Sequence, residues 1–285
     1  MGPTPRRAAF FDLDKTVIAK ASMVAFGKPF YRQGLISRRL LVRALWAQLV
    51  YLQLGASEEK LARVREQVLR LTRGWEQAKV SAVVRDTLDA VIEPIIYSEA
   101  LELLEHHKAE GDLVLLVSAS PEEIVRPLAD YLGVHEVIAS RAEIDDDGRY
   151  TGQMAFYSYG PYKAEAIHAL AAAENLDLTA SYAYSDSYTD MPMLECVGHP
   201  VVVNPDRVLL KLAREREWEV RQFVRPVRLR DRMPVPPARP TIAVVAGGAL
   251  ATAGALVWRA TRPAPSPPSR GAARWLRRHR PRPTR

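Results

Sequence analysis

Cysteine is nearly absent from this chain of 285 residues: Cys196 stands alone, so no disulfide can form within it. Acidic residues are missing from two long stretches. None lies between Lys15 and Glu58, and residues 221–285 hold only Asp231 against 15 arginines and no lysine. That tail contributes +14, and since the whole carries +7, residues 1–220 carry −7. The division excludes a nucleic-acid-binding catalytic region as the source of the basic character, which belongs to the tail. No signal-peptide pattern opens the chain, because Arg6 and Arg7 lead almost at once into an apolar run. With one cysteine and no such leader, the expected setting is a reducing cytoplasm.

Ala8 to Phe11 form a short apolar run that reads as a buried strand, which puts Asp12 at its C-terminal tip and Asp14 in the following loop. Open α/β sheets place their chemistry at such strand ends. Two carboxylates there can divide the labour of phosphoryl transfer. One attacks phosphorus, and the other protonates the leaving oxygen and then activates water. The same residues also suit a turn that ends a strand and caps a helix, so the reading needs support from elsewhere.

Three further places supply it, in an order that resembles the haloacid dehalogenase-like phosphohydrolases over roughly residues 8–220. The first motif, D-x-D-x-[TV], is met by Asp12, Leu13, Asp14, Lys15 and Thr16. The second, a strand ending in Ser or Thr, is met by LVLLVSAS at Ser118. The third, a basic residue opening a helix, is met by Lys163 in GPYKAEAI, and the fourth, paired acids after a strand, by Asp186 and Asp190 in YAYSDSYTDMPML. The resemblance implies a Rossmann-like parallel sheet (class α/β) with an inserted helical cap, and a phosphatase that works through an aspartyl-phosphate on Asp12. It implies Asp14 as acid and base, Ser118 and Lys163 on the phosphate, and Asp190 orienting water or Lys163. It implies Mg2+ held by Asp12, Asp186 and the Asp14 carbonyl; hard oxygen ligands suit that ion. An acid two places after the nucleophile favours hydrolysis over the pumping and dehalogenating members. Transfer to an alcohol, or binding of phosphorylated ligands by a tethered regulatory protein, remain open.

Ser120, Pro121, Glu122 and Glu123 read as a helix N-cap, a first-turn proline and a capping glutamate, so Ser120 is expected to cap rather than catalyse. His106, His107 and His168 lack partners at ligand spacing and read as surface or boundary residues.

The core is expected over 1–16 and 96–220, and a cap over 17–95 with helices near 22–32, 35–54, 57–72 and 75–92. In the phosphoserine phosphatase branch, which this cap resembles, an early cap glutamate holds the substrate ammonium. Here Val17 to Met23 contain no acid, while Lys20, Lys28, Arg32, Arg38, Arg39 and Arg43 make the region basic. A substrate richer in negative charge, or a lipid phosphate, is expected. Residues 141–157 read as a hairpin turning at Asp146, Asp147 and Gly148, placed opposite the cap.

After a Pro- and Arg-rich linker at 221–240, residues 241–258 run uncharged. A helix of that length spans roughly 27 Å against about 30 Å of hydrocarbon. A C-terminal anchor on the cytoplasmic face of the membrane is expected, followed by an Arg-rich disordered tail at 259–285. A helix lying on anionic lipid is the alternative.

Overall fold

The computed structural model describes residues 5–37, 58–134 and 136–224. Strands β1 (Ala8–Asp12), β2 (Leu113–Pro121), β3 (Glu136–Ile144), β4 (Tyr150–Phe156), β5 (Tyr182–Ser185), β6 (His199–Val203) and β7 (Glu219–Arg221) form one sheet in the order β4-β3-β2-β1-β5-β6-β7. All neighbours are parallel except β3 and β4. β1 sits in the middle, paired with β2 on one side and β5 on the other, and every one of its residues is buried. A parallel strand covered on both faces must be apolar throughout, which is why AAFFD does not alternate.

Alternation survives as a division between two cores. Ala8 and Phe10 point to one face, with Leu115, Val117, Ala183 and Val202. Ala9 and Phe11 point to the other, with Val114, Leu116, Tyr184 and Val201. The first face is covered by helices α7 (Pro161–Glu174), α8 (Met191–Glu195) and α9 (Arg207–Glu215) through Ile167, Leu194 and Leu209. The second is covered by α5 (Ser98–Ala109) and α6 (Glu122–Tyr131) through Leu104 and Leu128, and α4 (Gln77–Ile92) packs on α6 in the same core through Leu88. The expected class, α/β with a Rossmann-like sheet, is the observed one.

Between β1 and α5 the chain makes α1 (Ser22–Ala25), α2 (Gly27–Arg32), α3 (Glu58–Thr72) and α4. The helix expected over 22–32 is two short ones meeting at Phe26. Gly27 has low helix propensity, and Pro29 can supply no amide for a continuous ladder, so a new first turn begins there. Residues 38–54 of the helix expected over 35–54, and the expected cap Ser57, lie outside the described residues. α3 ends at the expected Thr72, and α4 begins two residues later than expected.

The hairpin of β3 and β4 turns where the sequence indicates. Gly148 has φ 73°, and the Asp145 carboxylate accepts the amides of Asp147 and Arg149 at 3.1 and 2.8 Å. Its position differs from expectation, since it packs on the helical insertion rather than opposite it. Tyr150 N donates to Trp75 O (3.0 Å), Gly74 N to Tyr150 O (2.8 Å) and Gln77 N to Gly148 O (3.0 Å). The reason is length: a nine-residue β3 carries the tip past the sheet to the turn between α3 and α4, where unpaired peptide groups await partners.

The membrane anchor expected over 241–258 is withdrawn. Among the described residues no helix is long and apolar enough to cross a membrane, and the segment itself lies outside them.

Candidate active site

The C-terminal ends of β1, β2 and β5 converge with the first turn of α7. β1 ends on Asp12, after which the chain turns sharply through Lys15, whose φ of 67° is left-handed and strained for a residue with a Cβ. Val17 N and Ile18 N both donate to Leu13 O at 3.0 Å and close this turn. Lys163 enters from α7, whose N-terminus is set by Gly160 at φ 55° followed by Pro161. Its Nζ donates to Asp12 Oδ1 at 2.7 Å and to Asp190 Oδ2 at 2.8 Å, and the lysine is 2% exposed. Ser185 Oγ donates to the same Asp190 oxygen at 2.7 Å. Asp186, the residue after β5, is met by Lys15 Nζ at 3.7 Å.

Asp14 is held separately. Its Oδ1 accepts Ser22 N–H at 2.8 Å and its Oδ2 accepts the Ser120 hydroxyl at 3.0 Å. Ser118 is buried at the end of β2 and accepts Ser120 N–H at 3.1 Å, so its own hydrogen remains for donation. The structure thus joins Asp12, Lys163 and Asp190 by direct hydrogen bonds. It sets Asp186 beside Lys15, and Asp14 beside the strand that carries Ser118.

The electrostatics follow from four carboxylates (the buried Asp12, Asp186 and Asp190 and the half-buried Asp14) facing two ammonium groups, the buried Lys163 and the half-exposed Lys15. Burial raises the Asp12 carboxyl well above its usual range; Lys163 draws it back, and Asp190 and Asp186 push it up again. Asp186 is pushed up to about 7, chiefly by burial, against the pull of Lys15. Burial also raises Asp14, opposed by its bonds from Ser22 and Ser120. Burial alone would lower Lys163, but Asp12 and Asp190 prevail and hold it as an ammonium. Buried carboxyls that repel one another are a setting a divalent cation relieves. Among the described residues no three His, Cys, Asp or Glu side chains gather as a metal cage. Two carboxylates and a carbonyl, completed by water and substrate oxygen, are the sparser set that magnesium accepts. The family resemblance implies the Asp14 carbonyl, rather than its side chain, for such a role.

Several contributors escaped the sequence reading. Ser120 is not a helix cap. β2 runs on to Pro121, which occupies the N-cap of α6 with no side-chain bond, and the Ser120 hydroxyl turns to Asp14 instead. Glu123 does not close a capping box either; it accepts Gln77 Nε2 of α4 at 3.0 Å. Asp206 caps α9 and also accepts Tyr188 N–H at 2.9 Å, while its amide donates to Asp186 O at 3.0 Å. An Asp before a helical run was a visible cap signal, but its second duty was not. Arg65 of α3 lies over the Tyr157 ring at 4.6 Å, in the loop that leads into α7.

His107 is corrected as well. It is buried, with Nδ1 2.7 Å from Asp112 Oδ2 and Nε2 2.7 Å from Tyr184 Oη, and Arg7 Nε donates to Asp112 Oδ1 at 2.8 Å. Tyr184 stacks on Phe11 with ring centroids 4.3 Å apart. His106 and His168 are exposed, as expected.

Against known families, residues 9–195 match the model of the haloacid dehalogenase-like hydrolases. An inhibition of morphological differentiation protein of Streptomyces azureus is 50% identical over 261 residues, covering 90% of this chain and 94% of that one. A probable phosphatase of Mycobacterium tuberculosis is 49% identical over 255 residues, covering 90% and 88%. A phosphoserine phosphatase of the same species is 37% identical over 246 residues, covering 86% and 79%. The match spans the three strand ends and the helix start whose geometry is given above, and the chain belongs to the haloacid dehalogenase-like hydrolases, as an enzyme of their phosphatase kind.

Proposed function

We propose that this enzyme hydrolyses phosphate monoesters through an aspartyl-phosphate formed on Asp12. The observation that carries the reading is the buried Lys163 ammonium bonded at once to Asp12 and Asp190. Lys163 holds Oδ1 of Asp12, which fixes the carboxylate and leaves Oδ2 to attack phosphorus. The same ammonium offsets the negative charge that gathers on the phosphoryl oxygens, and the Ser118 hydroxyl donates to one of them. Asp14 gives its proton to the leaving oxygen, then takes one from the water that opens the acyl-phosphate. Asp190 and Ser185 keep Lys163 in place. Asp12, Asp186 and the Asp14 carbonyl would hold Mg2+, which when bound supplies charge neutralisation and a template for the phosphate.

The substrate is an ester richer in negative charge than phosphoserine, a lipid phosphate being one source. The support is the run without acids between Lys15 and Glu58, in which Lys20, Lys28 and Arg32 are exposed; Arg38, Arg39 and Arg43 lie outside the described residues. Phosphoserine is the competing substrate, favoured by the name of the 37% identical relative.

A screen of phosphorylated metabolites and lipids, with and without magnesium and with Asp12→Asn as blank, tests both parts. Magnesium-dependent release of phosphate by the wild type alone is expected. Equal rates on phosphoserine and on more anionic esters remove the substrate assignment, and a wild type no faster than Asp12→Asn on every ester removes the reaction. Glycerol added to the assay diverts phosphate to a new ester if the acceptor is an alcohol rather than water.

A further inference from the structure

We infer that Ser120 is a positioning residue for Asp14, holding its carboxyl in the attitude from which it protonates the leaving oxygen; the inference rests on the phosphatase reading above. Ser118 and Ser120 stand two residues apart near the end of β2, where the pairing with β3 shifts register, and Ser120 N–H donates to Ser118 Oγ at 3.1 Å. One hydroxyl is in reach of the phosphate role, and the other goes to the acid. Ser120 is 5% exposed, is not used by α6, and donates to Asp14 Oδ2 at 3.0 Å. The hydrogen in that bond belongs to Ser120. The Ser22 hydroxyl lies 2.7 Å from Ser120 Oγ and joins the same cluster. Ser22 also gives its amide to Asp14 Oδ1 at 2.8 Å and is itself fully buried.

Each oxygen of Asp14 is thus tied on one side, one by the core strand β2 and one by the first helix of the insertion. A carboxyl fastened at both oxygens cannot rotate about its last bond, and each oxygen keeps a further lone pair. The acidic proton sits on one of these, directed at the ester. As the bond from Asp12 Oδ2 to phosphorus forms, the bond from phosphorus to the leaving oxygen breaks. The electron pair stays on that oxygen, which takes the proton from Asp14.

A leaving group that departs easily as an anion needs little from this proton, and one that departs reluctantly needs it fully. The ratio of kcat/KM for phenyl phosphate and 4-nitrophenyl phosphate therefore reads the attitude of the acid. Because kcat/KM ends at leaving-group departure, it is blind to the later attack of water. Ser120→Ala is expected to lower kcat/KM about 10- to 30-fold on phenyl phosphate and no more than about threefold on 4-nitrophenyl phosphate, with Ser120→Thr restoring the first. Equal losses on both esters, or none on either, overturn the inference. Should Ser120→Ala fail to fold, Ser22→Ala is read in the same way: a selective loss of about threefold supports the assignment, and an unselective one overturns it. If the wild type turns over neither ester, the phosphatase reading has failed, an outcome distinct from an active wild type whose variants show no selectivity.

Discussion

Two buried polar networks sit at opposite ends of the same strands. Arg7, Asp112, His107 and Tyr184 meet where β1 and β2 begin; Asp12, Lys163, Asp190 and Ser185 meet where β1 and β5 end. Both bury a carboxylate against a basic group within 2.8 Å. They differ in balance. At the first end Arg7 answers Asp112, burial lowers the His107 pKa so that the ring stays neutral, and burial raises Tyr184 so that its hydroxyl keeps the hydrogen it gives to His107. Nothing there lacks a partner. At the second end Asp186 and Asp14 add negative charge that Lys15 and Lys163 do not cancel. A matched network ties helix to sheet, while an unmatched one leaves charge that, under the proposed function, a phosphate and a cation would balance.

The contrast can be broken most forcefully at Lys163. Lys163→Met removes the cation between two buried carboxylates. Turnover in a phosphate-release assay is expected to fall at least about 1000-fold, since donors aimed at developing charge are worth roughly 100- to 1000-fold each and this one also fixes the nucleophile. Chelation of divalent ions comes next. Stripping them should abolish phosphate release, magnesium should restore it, and magnesium should raise the thermal midpoint of the wild type but not of Asp12→Asn/Asp186→Asn, which lacks the repulsion to be relieved. A midpoint that rises equally in both would show the balance argument to be wrong.

At the other end the effect should fall on stability instead. His107→Ala leaves Asp112 Oδ2 and the Tyr184 hydroxyl without their histidine partner and is expected to cost about 2–4 kcal/mol in denaturant unfolding, with kcat of the folded fraction within about twofold of wild type. The sign with pH follows from the lowered His107 pKa. The unfolded chain takes the proton near pH 6.5 and the folded chain only at lower pH, so this contribution is complete above about 6.5 and drains away as pH falls below it. Asp186, raised to about 7, works in the opposite sense over an overlapping range, favouring the fold at low pH. The difference between wild type and His107→Gln isolates the histidine, and a difference that grows on acidification would refute the sign. Smallest of all is Arg149→Ala, which removes an exposed pair with Glu76 at 2.7 Å and should shift stability by less than about 1 kcal/mol.

Much of this was legible in the residues. The uniform burial of β1 is written in AAFFD, and the hairpin turn in Asp-Asp-Asp-Gly, because both depend on local chemistry. Lys163 and the paired Asp186 and Asp190 were recognisable by order and residue type. What escaped were long-range choices between partners of equal local merit. Ser120 had a helix to cap and chose an aspartate 106 positions away; His107 on a helix gave no sign that Asp112 and Tyr184 would enclose it. The hairpin looked free to point anywhere, since its destination depends on the length of β3 and on where α3 ends. Phe26 divides a helix that periodicity joins, because apolar spacing is blind to the missing amide of Pro29.

The seam between the hairpin tip and the turn joining α3 to α4 rests on peptide groups, Tyr150 with Trp75 and Gly74 and Gly148 with Gln77, beside which the Arg149 side chain reaches Gly74 O and Glu76. Amides and carbonyls are common to every residue but proline. Side chains along that rim can therefore change while these main-chain bonds keep the hairpin tip moored to the turn between α3 and α4.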